Sequence, residues 1–545
     1  MQRHYAISLV LVLTCISEIA TVGGQQLPEE ARSGRWELLR QTAGLSAMHM
    51  TLTHNGTVIM YDQTTNGCPD NDIGRPTPQG CWAHSVEYDI ANNTVRPMHL
   101  LTNSFCSSGA FLNNGTLVIT GGWQAGQKVV SYFNPCVNST CDWIQAKTPL
   151  LSNRWYASNQ ILPDGRIIVV GGRRSFNYEF IPRNPSDTEA FQLPFLVKTN
   201  TMGEENNLYP FLYLVPDGNL FIFANKDSIL LDYKQNQVIK TFPTMPGGGA
   251  RNYPSSASFA MLPLESSNNF TKLEILICGG APDGAFKEAE KNHTYVKALE
   301  NCGRMEITSH KPQWQMENMP GPRVMGDMLI LPTGKILIIN GAQNGTAGWE
   351  NGEVPAFSPF LYTPTEAIGK RFTVMSPANI SRMYHSTALV LPDGRVLVAG
   401  SNPHQIYKLA AKPFPTDLRV EAYIPPYLHP VYDYKRPAIA FISTREIKYG
   451  SRFNVSFSVS SLSINDIYFH AYAPPFSTHT MSMNQRMLSL AAATAMDIVK
   501  GEANSTYSVS INAPPSSAVA PPGYYLLTVV NEDIPSEAEW ICFIN

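Results

Sequence analysis

A repeat of about 50 residues constrains the fold of this chain more than any other feature of its sequence. Each unit joins two apolar runs through a turn dipeptide, most often AsnGly or AspGly, which is the strongest short-range signal of a β-hairpin. Successive turns are 59, 50, 53, 116 and 60 residues apart, and the double interval holds an extra unit (273–280) after an insertion, Glu265 to Asn269. Seven units of several short strands are typical of a kelch-like β-propeller. The turns are centred on Gly56, Gly115, Gly165, Gly218, Gly334 and Gly394.

Both ends of the repeat region carry further β signals. Residues 35–39 resemble the outer strand of a unit but have no unit before them, so they are expected to complete the last one beside residues 419–424. After a Pro-rich stretch, residues 435–545 have strand-like runs without the GlyGly endings, spaced as in a β-sandwich. The sequence predicts an all-β protein, with a seven-bladed β-propeller at 25–434 and an immunoglobulin-like β-sandwich at 435–545.

Composition and the N-terminus indicate an extracellular protein. The net charge is −3 and no run of Lys or Arg argues for nucleic acid or an anionic membrane. Residues 1–24 have the pattern of a secretory signal peptide, too short for a membrane span. We therefore expect secretion, and a cell-wall or apoplastic location if the source is a plant. Ten AsnXaaSer/Thr sequons agree with secretion, although AsnGlyThr is also plain turn chemistry; they begin at Asn55, Asn92, Asn114, Asn138, Asn269, Asn292, Asn344, Asn379, Asn454 and Asn504.

The cysteines divide into close pairs and two single residues. Without Cys15 of the signal segment, eight remain, and spacing suggests disulfides Cys68–Cys81, Cys136–Cys141 and Cys278–Cys302. Sequence alone does not fix this connectivity. Cys106 and Cys542 are left over. A lone cysteine is most often a small buried hydrophobe, so Cys106 needs a further observation before it suggests chemistry.

That observation is a shared position in the repeat. Cys106, Tyr156 and His385 each lie nine residues before a turn glycine. If the units are structurally equivalent, a thiol, a phenol and an imidazole surround one axis, which suggests a redox metal site. The same register brings Tyr209 and Met325 near the axis, with Tyr253 as the expected equivalent in the fifth unit.

Several motifs resemble those of the copper radical oxidases, the family that includes galactose oxidase and the glyoxal oxidases. They are PheCysSerSerGly (105–109), ArgTrpTyrAlaSer (154–158), ArgMetTyrHisSerThrAla (382–388), ThrHisThrMetSerMetAsnGlnArg (478–486) and ProProGlyTyrTyrLeuLeuThrValValAsn (521–531). The resemblance covers nearly the whole mature chain. Because the chain lacks the additional N-terminal carbohydrate-binding sandwich of galactose oxidase, it looks most like the glyoxal oxidases and their plant aldehyde-oxidase counterparts.

The resemblance implies a mononuclear Cu(2+) site. Tyr156, His385 and His479 would bind the ion in the equatorial plane and Tyr384 axially, a ligand set that suits Cu(II). A thioether between Cys106 and the ring of Tyr156 would form a protein-derived Cys–Tyr radical cofactor. Tyr384 would take the proton of the substrate hydroxyl, and Tyr156 would take the hydrogen atom from carbon. Copper would accept the remaining electron. Dioxygen would then reoxidise the site and be released as hydrogen peroxide. Without the resemblance, the sequence around His479 would indicate a structural histidine. Tyr384 could equally be an aromatic residue that lines the propeller.

The implied function is oxidation of glyoxal-type aldehydes to carboxylic acids with reduction of O2 to H2O2. The partners would be a small aldehyde or alcohol and O2. The protein itself is expected to be a monomer. A primary-alcohol oxidase acting on galactose or cell-wall polysaccharide, and a non-catalytic propeller binding glycan or protein, stay open as alternatives. One departure bears on this choice: galactose oxidase has GlyGlySerTrp where this chain has GlyGlyArgArgSerPhe (171–176). The group that shields the thioether is therefore unassigned, and a galactose preference is not implied.

Four arginines precede the shared register position by two or three residues. We interpret them as structural, with the alternative that one or two orient a carbonyl or carboxylate of the substrate. They are Arg154, Arg251, Arg323 and Arg382.

Overall fold

The computed structural model describes residues 21–22, 25–63, 76–77, 80–81, 85–137, 140–493, 496–499 and 505–545. Nearly all of the predicted signal peptide lies outside these residues, as do Cys68 of the predicted Cys68–Cys81 pair and the sequon positions Asn138 and Asn504. Within the described residues, no helix is long and apolar enough to cross a membrane.

The expected all-β character is confirmed. Strands dominate the described chain and every helix is short. The α-helices are Glu30–Ser33, Pro194–Lys198 and Ala285–Asn292. The 3-10 helices are Gln124–Gly126, Ser266–Asn268, Pro426–Leu428 and Pro430–Lys435.

The described repeat region forms seven antiparallel sheets, each built on four strands. The four follow in chain order except in the last sheet, and short additional strands intervene in sheets 1, 5 and 6. Sheet 1 comprises His49–Leu52, Thr57–Tyr61, Ser85–Asp89 and Thr94–Pro97; sheet 2 Ser108–Phe111, Leu117–Thr120, Val130–Phe133 and Ile144–Gln145; sheet 3 Ala157–Ile161, Ile167–Gly171, Asn177–Ile181 and Phe191–Gln192; sheet 4 Phe211–Leu214, Leu220–Ala224, Asp227–Asp232 and Gln237–Thr241. Sheet 5 comprises Ser258–Met261, Glu274–Cys278, Asn301–Glu306 and Gln315–Asn318; sheet 6 Asp327–Ile330, Ile336–Ile339, Phe360–Tyr362 and Phe372–Val374; sheet 7 Ser386–Val390, Val396–Gly400, Val420–Ile424 and Arg35–Arg40.

The hairpin turns form where the sequence predicts them. All six turn glycines have φ between 82° and 87°, a left-handed conformation that other residues adopt only at a steric cost. In the fifth unit, the insertion Glu265 to Asn269 replaces the tight turn. Leu264–Glu265 pairs in parallel with Arg486–Leu490 of the C-terminal region, so this turn is extended to join a second sheet.

Sheet 7 joins the two ends of the repeat region. Its outer strand is Arg35–Arg40, which runs antiparallel to Val420–Ile424 with Arg35 opposite Ile424. The sequence-based expectation for residues 35–39 is thus met. The pairing holds the two ends of the repeat region together by main-chain hydrogen bonds, with Arg35–Arg40 as the edge strand of the sheet.

The C-terminal region contains two main sheets. One has four strands, in the order Ala438–Ile442, Arg452–Val459, Ser505–Asn512 and Asp497–Val499. The other has the order Leu264–Glu265, Arg486–Leu490, Ile467–Ala473, Gly523–Asn531, Glu539–Ile544 and Glu446–Lys448, with Ile534–Pro535 paired beside Gly523–Asn531. Two-stranded ribbons complete the described strands: Thr21–Val22 with Gln25–Gln26, Pro76–Thr77 with Gly80–Cys81, and Ala342–Gly345 with Gly352–Pro355.

One hairpin of the C-terminal region leaves it and enters the repeat region. Its strands, Phe476–Thr478 and Met481–Met483, add to the inner edge of sheet 1, with His49 opposite Thr478. Ser477 Oγ donates to the carbonyl of Ala388 at 2.9 Å, and Ser482 Oγ to that of Met328 at 3.0 Å. The hairpin therefore contacts sheets 1, 6 and 7 together.

The four arginines are structural. All are buried, and each donates to a main-chain carbonyl at or just past the end of the second strand of its sheet: Arg154 to Gly171, Arg251 to Gly279, Arg323 to Asn340 and Arg382 to Gly400. Arg154 and Arg382 also pair with buried carboxylates, Glu179 and Glu421. These contacts use the guanidinium groups to fix the hairpins, so the substrate-orienting alternative is not supported.

Two of the predicted disulfides are present. Cys136–Cys141 closes a loop in sheet 2, and Cys278–Cys302 links neighbouring strands of sheet 5. Cys106 and Cys542, which were left outside the predicted pairs, form no disulfide.

Candidate metal centre

Six residues enter sheets 2 to 7 in the same unusual conformation. Each precedes the first strand of its sheet by one or two positions and has a φ between 45° and 64°. A left-handed φ is uncommon for residues other than glycine, and its recurrence at one place in the repeat marks a feature that the surrounding structure enforces. The residues are Cys106, Tyr156, Tyr209, Ser256, Met325 and His385.

This register corrects one expectation. Tyr253 was expected as the equivalent in the fifth unit, but Ser256 holds that position, because it precedes Ser258–Met261 by two residues with φ 45°. Main-chain hydrogen bonds connect neighbouring units here: Tyr156 N donates to Cys106 O at 3.0 Å and Tyr209 N to Tyr156 O at 2.9 Å. The six side chains are thus placed by backbone geometry that the repeat reproduces.

Three of the predicted residues form one buried cluster. The Sγ atom of Cys106 and one ring nitrogen each of His385 and His479 lie within 4.8 Å of one another. Cys106 Sγ is 3.2 Å from His479 Nε2, and the two imidazole rings are 4.8 Å apart at 76°. The structure therefore brings His479, from the C-terminal region, to two residues of the repeat.

His479 occupies the turn of the inserted hairpin. His479 and Thr480 have φ values of 47° and 71°, the pair of left-handed residues that a type I′ turn requires. Thr480 Oγ1 donates to Ala257 O at 3.1 Å, which anchors the turn to the start of sheet 5. Thr478 Oγ1 lies 2.6 Å from His479 Nδ1 and orients the ring so that Nε2 faces Cys106.

The two predicted tyrosines complete the group. The ring of Tyr384 stacks on that of its neighbour His385, with centroids 3.7 Å apart, and lies 5.7 Å from the ring of His479. The ring of Tyr156 is edge-on to His479 at 6.1 Å. All five residues predicted for the site are thus close together and buried.

Burial sets the protonation of these groups. It lowers the pKa of His385 and His479 well below the usual value, with a smaller contribution from neighbouring imidazoles. It raises the pKa of Tyr156, Tyr384 and Cys106 well above their usual values, and hydrogen bonding to Tyr156 partly offsets the effect on the thiol. The imidazoles are therefore neutral, as metal ligands must be, while the phenols need a nearby cation to ionise.

The donor set fits a copper ion. Neither ring nitrogen of the buried His385 has a hydrogen-bond partner in the part of the chain that is described. Buried polar atoms without partners are rare and point to a bound ion or another group that satisfies them. Two neutral imidazoles and two phenols beside them match the ligand preferences of Cu(II).

A cavity of about 710 Å³ leads to this group. Tyr156 and Tyr253 line it, and Phe176 and Phe286 are among its apolar lining residues. Arg173 also lines it, stacked over the ring of Trp155 at 5.0 Å and paired with Glu205. A much smaller apolar cleft, of about 60 Å³, lies near His54 and Tyr524 between the repeat and C-terminal regions and does not contain these residues.

Two aromatic neighbours of Tyr156 were given no contact with it from the sequence, although Tyr253 was expected near the same axis. Trp155 packs against it with ring centroids 4.7 Å apart, and Tyr253 stacks on it at 4.5 Å and 29°. The sequence held a signal for both, since Trp155 directly precedes Tyr156 and Tyr253 belongs to a run near the register position. Neither signal says which ring face they cover, because that depends on the assembled structure.

The chain matches two protein-family models. Residues 48–427 match the glyoxal oxidase N-terminus, and residues 436–543 match the galactose oxidase-like early set domain. Among curated proteins, it is 43% identical to "Aldehyde oxidase GLOX1" of Arabidopsis thaliana, over 94% of this chain and 85% of that protein. It is also 43% identical to "Aldehyde oxidase GLOX" of Vitis pseudoreticulata, over 93% of this chain and 97% of that protein.

More distant proteins share the fold. A fungal alcohol oxidase of the AA5 family, solved in complex with copper, superposes with a TM-score of 0.70 at 20% identity, covering 94% of this chain and 100% of its own. A galactose oxidase of Gibberella zeae is 26% identical, over 89% of this chain and 67% of that protein. The resemblance to glyoxal oxidases predicted from the motifs is confirmed by the family match over most of the chain. This chain belongs to the glyoxal oxidase family.

Proposed function

We propose that this chain is a copper radical oxidase that converts aldehydes to carboxylic acids while reducing O2 to H2O2. The single observation that carries the proposal is the convergence of Cys106, Tyr156, Tyr384, His385 and His479 in one buried group beside a cavity. The names of the two relatives at 43% identity favour aldehydes as substrates. A non-catalytic binding protein would have no need of this donor set.

Tyr156, Tyr384, His385 and His479 would hold the copper ion. When bound, copper would supply a one-electron acceptor and a Lewis acid at the substrate hydroxyl. The hydrate of an aldehyde loses two electrons and two protons on becoming the acid, and O2 takes up both as H2O2. The phenolate oxygen of Tyr384, ionised beside the bound cation, would accept the hydroxyl proton, and oxidised Tyr156 would accept the hydrogen atom from carbon.

The covalent bond between Cys106 and Tyr156 is part of this proposal. Cys106 is a buried free thiol, and the main chains of the two residues are hydrogen-bonded at 3.0 Å. A thioether would replace an S–H and a ring C–H, with the two hydrogens and two electrons passing to O2. Delocalisation onto sulfur would make one-electron oxidation of the ring easier.

We also infer how the chain is organised around the site. The seven sheets would close into a seven-bladed propeller at residues 25–434, with residues 435–545 forming a sandwich that supplies one copper ligand. Contacts of the His479 hairpin with sheets 1, 5, 6 and 7 support this, because one slender hairpin reaches all of them only along a common axis. The disulfides Cys136–Cys141 and Cys278–Cys302 support action outside the cell. We propose that the enzyme acts as a monomer on a small aldehyde.

The test is a substrate panel with peroxide as the readout. Copper-loaded protein, activated with a one-electron oxidant, should produce H2O2 from glyoxal-type aldehydes faster than from galactose. The Cys106→Ala variant should still bind copper but lose nearly all turnover, and wild-type peptides containing Cys106 and Tyr156 should be joined with loss of two hydrogens. Preference for galactose would favour the alcohol-oxidase alternative. Absence of peroxide with every substrate would contradict both.

A further inference from the structure

Two consecutive arginines line the cavity that leads to Tyr156. Arg173 and Arg174 follow the strand Ile167–Gly171 of sheet 3, where this chain has GlyGlyArgArg and galactose oxidase has GlyGlySerTrp. The side chain of Arg173 is 39% exposed, whereas the four arginines that fix the hairpins are buried. The structural role of those four therefore does not extend to Arg173.

Three contacts hold Arg173 in place. Its main-chain N donates to the carbonyl of Trp155 at 2.6 Å, and its guanidinium lies over the indole of Trp155 at 5.0 Å. Its Nε donates to the carboxylate of Glu205, on the loop that forms another wall of the cavity. The same indole packs against Tyr156 with ring centroids 4.7 Å apart. The guanidinium is therefore fixed one indole away from Tyr156.

The two terminal nitrogens of Arg173 are left for another partner. Among the described residues they have no hydrogen-bond acceptor, since Glu205 accepts from Nε alone. The terminal N–H groups of a guanidinium form a planar fork that matches the two oxygens of a carboxylate. Because stacking and the ion pair already restrict the side chain, little conformational freedom is lost when such a group binds.

Local charge also favours an anion at this wall. Glu205 is shared, because Arg174 Nε lies 3.3 Å from its second carboxylate oxygen, and two guanidinium groups with one carboxylate leave one positive charge. Glu204 also lines the cavity, but its carboxylate accepts from Asn206 Nδ2 at 3.3 Å and, within the described chain, pairs with neither arginine. The cavity as a whole is therefore neutral and selects by contact at Arg173, not by attraction at long range.

Resting on the proposed function, we propose that Arg173 is a specificity-determining residue that binds the carboxylate of substrates carrying both an aldehyde and a carboxylate. The carboxylate would accept two hydrogen bonds from the terminal nitrogens of Arg173, while the hydrated aldehyde at the other end of the molecule lies beside Tyr156. No covalent bond is formed or broken at Arg173. The oxidation keeps the balance given above, with two electrons and two protons passing to O2. Fixing the far end of the substrate favours the geometry that the reaction requires.

This role predicts an effect on charged substrates alone. Each carboxylate substrate is compared with its methyl ester, which keeps the aldehyde but lacks the charge, through the ratio of their kcat/KM values. Arg173→Met keeps an unbranched apolar side chain beside Trp155 and removes the N–H groups, so this ratio should fall about ten- to hundredfold, the size expected for hydrogen bonds between charged groups. The rate with the ester should not change. Arg173→Lys keeps the charge but not the planar fork, and its ratio should lie between the two.

The experiment uses the full-length, copper-loaded protein after activation with a one-electron oxidant. Initial rates of H2O2 formation are measured with glyoxylate and with succinic semialdehyde, which hold the carboxylate at different distances from the aldehyde, and with the methyl ester of each. Raising the ionic strength should lower the acid-to-ester ratio of the wild-type protein but not that of Arg173→Met. Copper content is measured for every variant, and rates are expressed per bound copper.

The matched control is Arg166→Met in the same sheet. Arg166 also lies over an aromatic ring, that of Phe180 at 4.5 Å, and its Nε is also paired with a carboxylate, that of Asp164 at 2.7 Å. The described residues that line the cavity do not include Arg166. This variant should keep the wild-type acid-to-ester ratio.

The outcomes separate this inference from the proposed function. If wild-type protein forms no H2O2 from any of these aldehydes, the proposed function fails and the inference fails with it. If wild-type protein oxidises them, but Arg173→Met keeps the wild-type ratio for both pairs or loses activity equally with acid and ester, the role of Arg173 is refuted while the oxidase stands. A fall in the ratio for either pair, with the ester rate retained, supports the inference.

Discussion

The repeat region and the inserted hairpin place their site residues in different ways. Cys106, Tyr156 and His385 occupy the same position of three units, those of sheets 2, 3 and 7, and share a left-handed backbone conformation, so each is placed by its own sheet. His479 lies at the turn of a hairpin that comes from the C-terminal region and is held by contacts with several sheets at once. A repeated local conformation can therefore deliver most of a metal site, but the last ligand depends on how two regions interlock.

The two histidines give the largest test of this comparison. His385→Ala and His479→Ala should each lower copper affinity by more than about a hundredfold, since loss of a mere supporting partner already costs 10–100-fold. Oxidase activity should fall below detection in both. Copper titration of the metal-free protein is the measurement, and His470→Gln, a buried histidine bonded to Pro332 O, is the matched control. Full affinity in His479→Ala would show that the hairpin does not complete the site.

The repeat side is tested through its buried arginines. Arg154→Met leaves the buried carboxylate of Glu179 without its guanidinium, which should cost about 3–5 kcal/mol of the free energy of unfolding. Arg166→Met, which breaks a partly exposed pair with Asp164, should cost at most about 1 kcal/mol. Chemical denaturation of the metal-free protein measures both. If both variants lost the same free energy of unfolding, burial of the Arg154–Glu179 pair would not explain its contribution to stability.

The hairpin side is tested through the partner of its ligand. Thr478→Val removes the hydroxyl that orients His479 and should lower copper affinity by about 10–100-fold. Thr387→Val removes a comparable buried hydroxyl, bonded to Ala47 O beside the His385 sheet, and should leave the affinity unchanged. Among the described residues, no hydroxyl group is bonded to the ring of His385 as Thr478 is to that of His479. An equal loss of copper affinity in Thr478→Val and Thr387→Val would show that this hydrogen bond does not distinguish His479 from His385.

The smallest expected effect concerns a turn of the repeat. Gly218 has φ 87°, and a Cβ atom there would meet only ordinary contacts, with Ala518 Cβ and Lys234 Nζ at 4.0 Å, so Gly218→Ala should cost about 1–2 kcal/mol from backbone conformation alone. Gly218→Asn should cost less, because asparagine tolerates the left-handed region better. Thermal unfolding of the two variants gives the difference. A larger loss for asparagine would indicate a packing constraint at this turn that the structure does not show.

Local sequence signals determined the hairpins and the register. AspGly or AsnGly between β-branched runs fixes a tight turn wherever it occurs, and the turn glycines are left-handed as predicted. Because the register counts residues from these turns, Cys106, Tyr156 and His385 could be placed together without knowledge of the whole fold. The closing strand Arg35–Arg40 followed from the same pattern.

Contacts between distant segments were decided only by the tertiary structure. Nothing in the repeat marks His479, whose approach to Cys106 requires a hairpin from another region to enter among the sheets. The same holds for Tyr253, which was expected at the fifth register position, although Ser256 occupies it and Tyr253 reaches Tyr156 and Tyr384 from a neighbouring loop. Local propensities act over a few residues along the chain, whereas packing joins side chains more than a hundred residues apart. That difference in range separates what the sequence of this protein specifies directly from what its folding alone brings together.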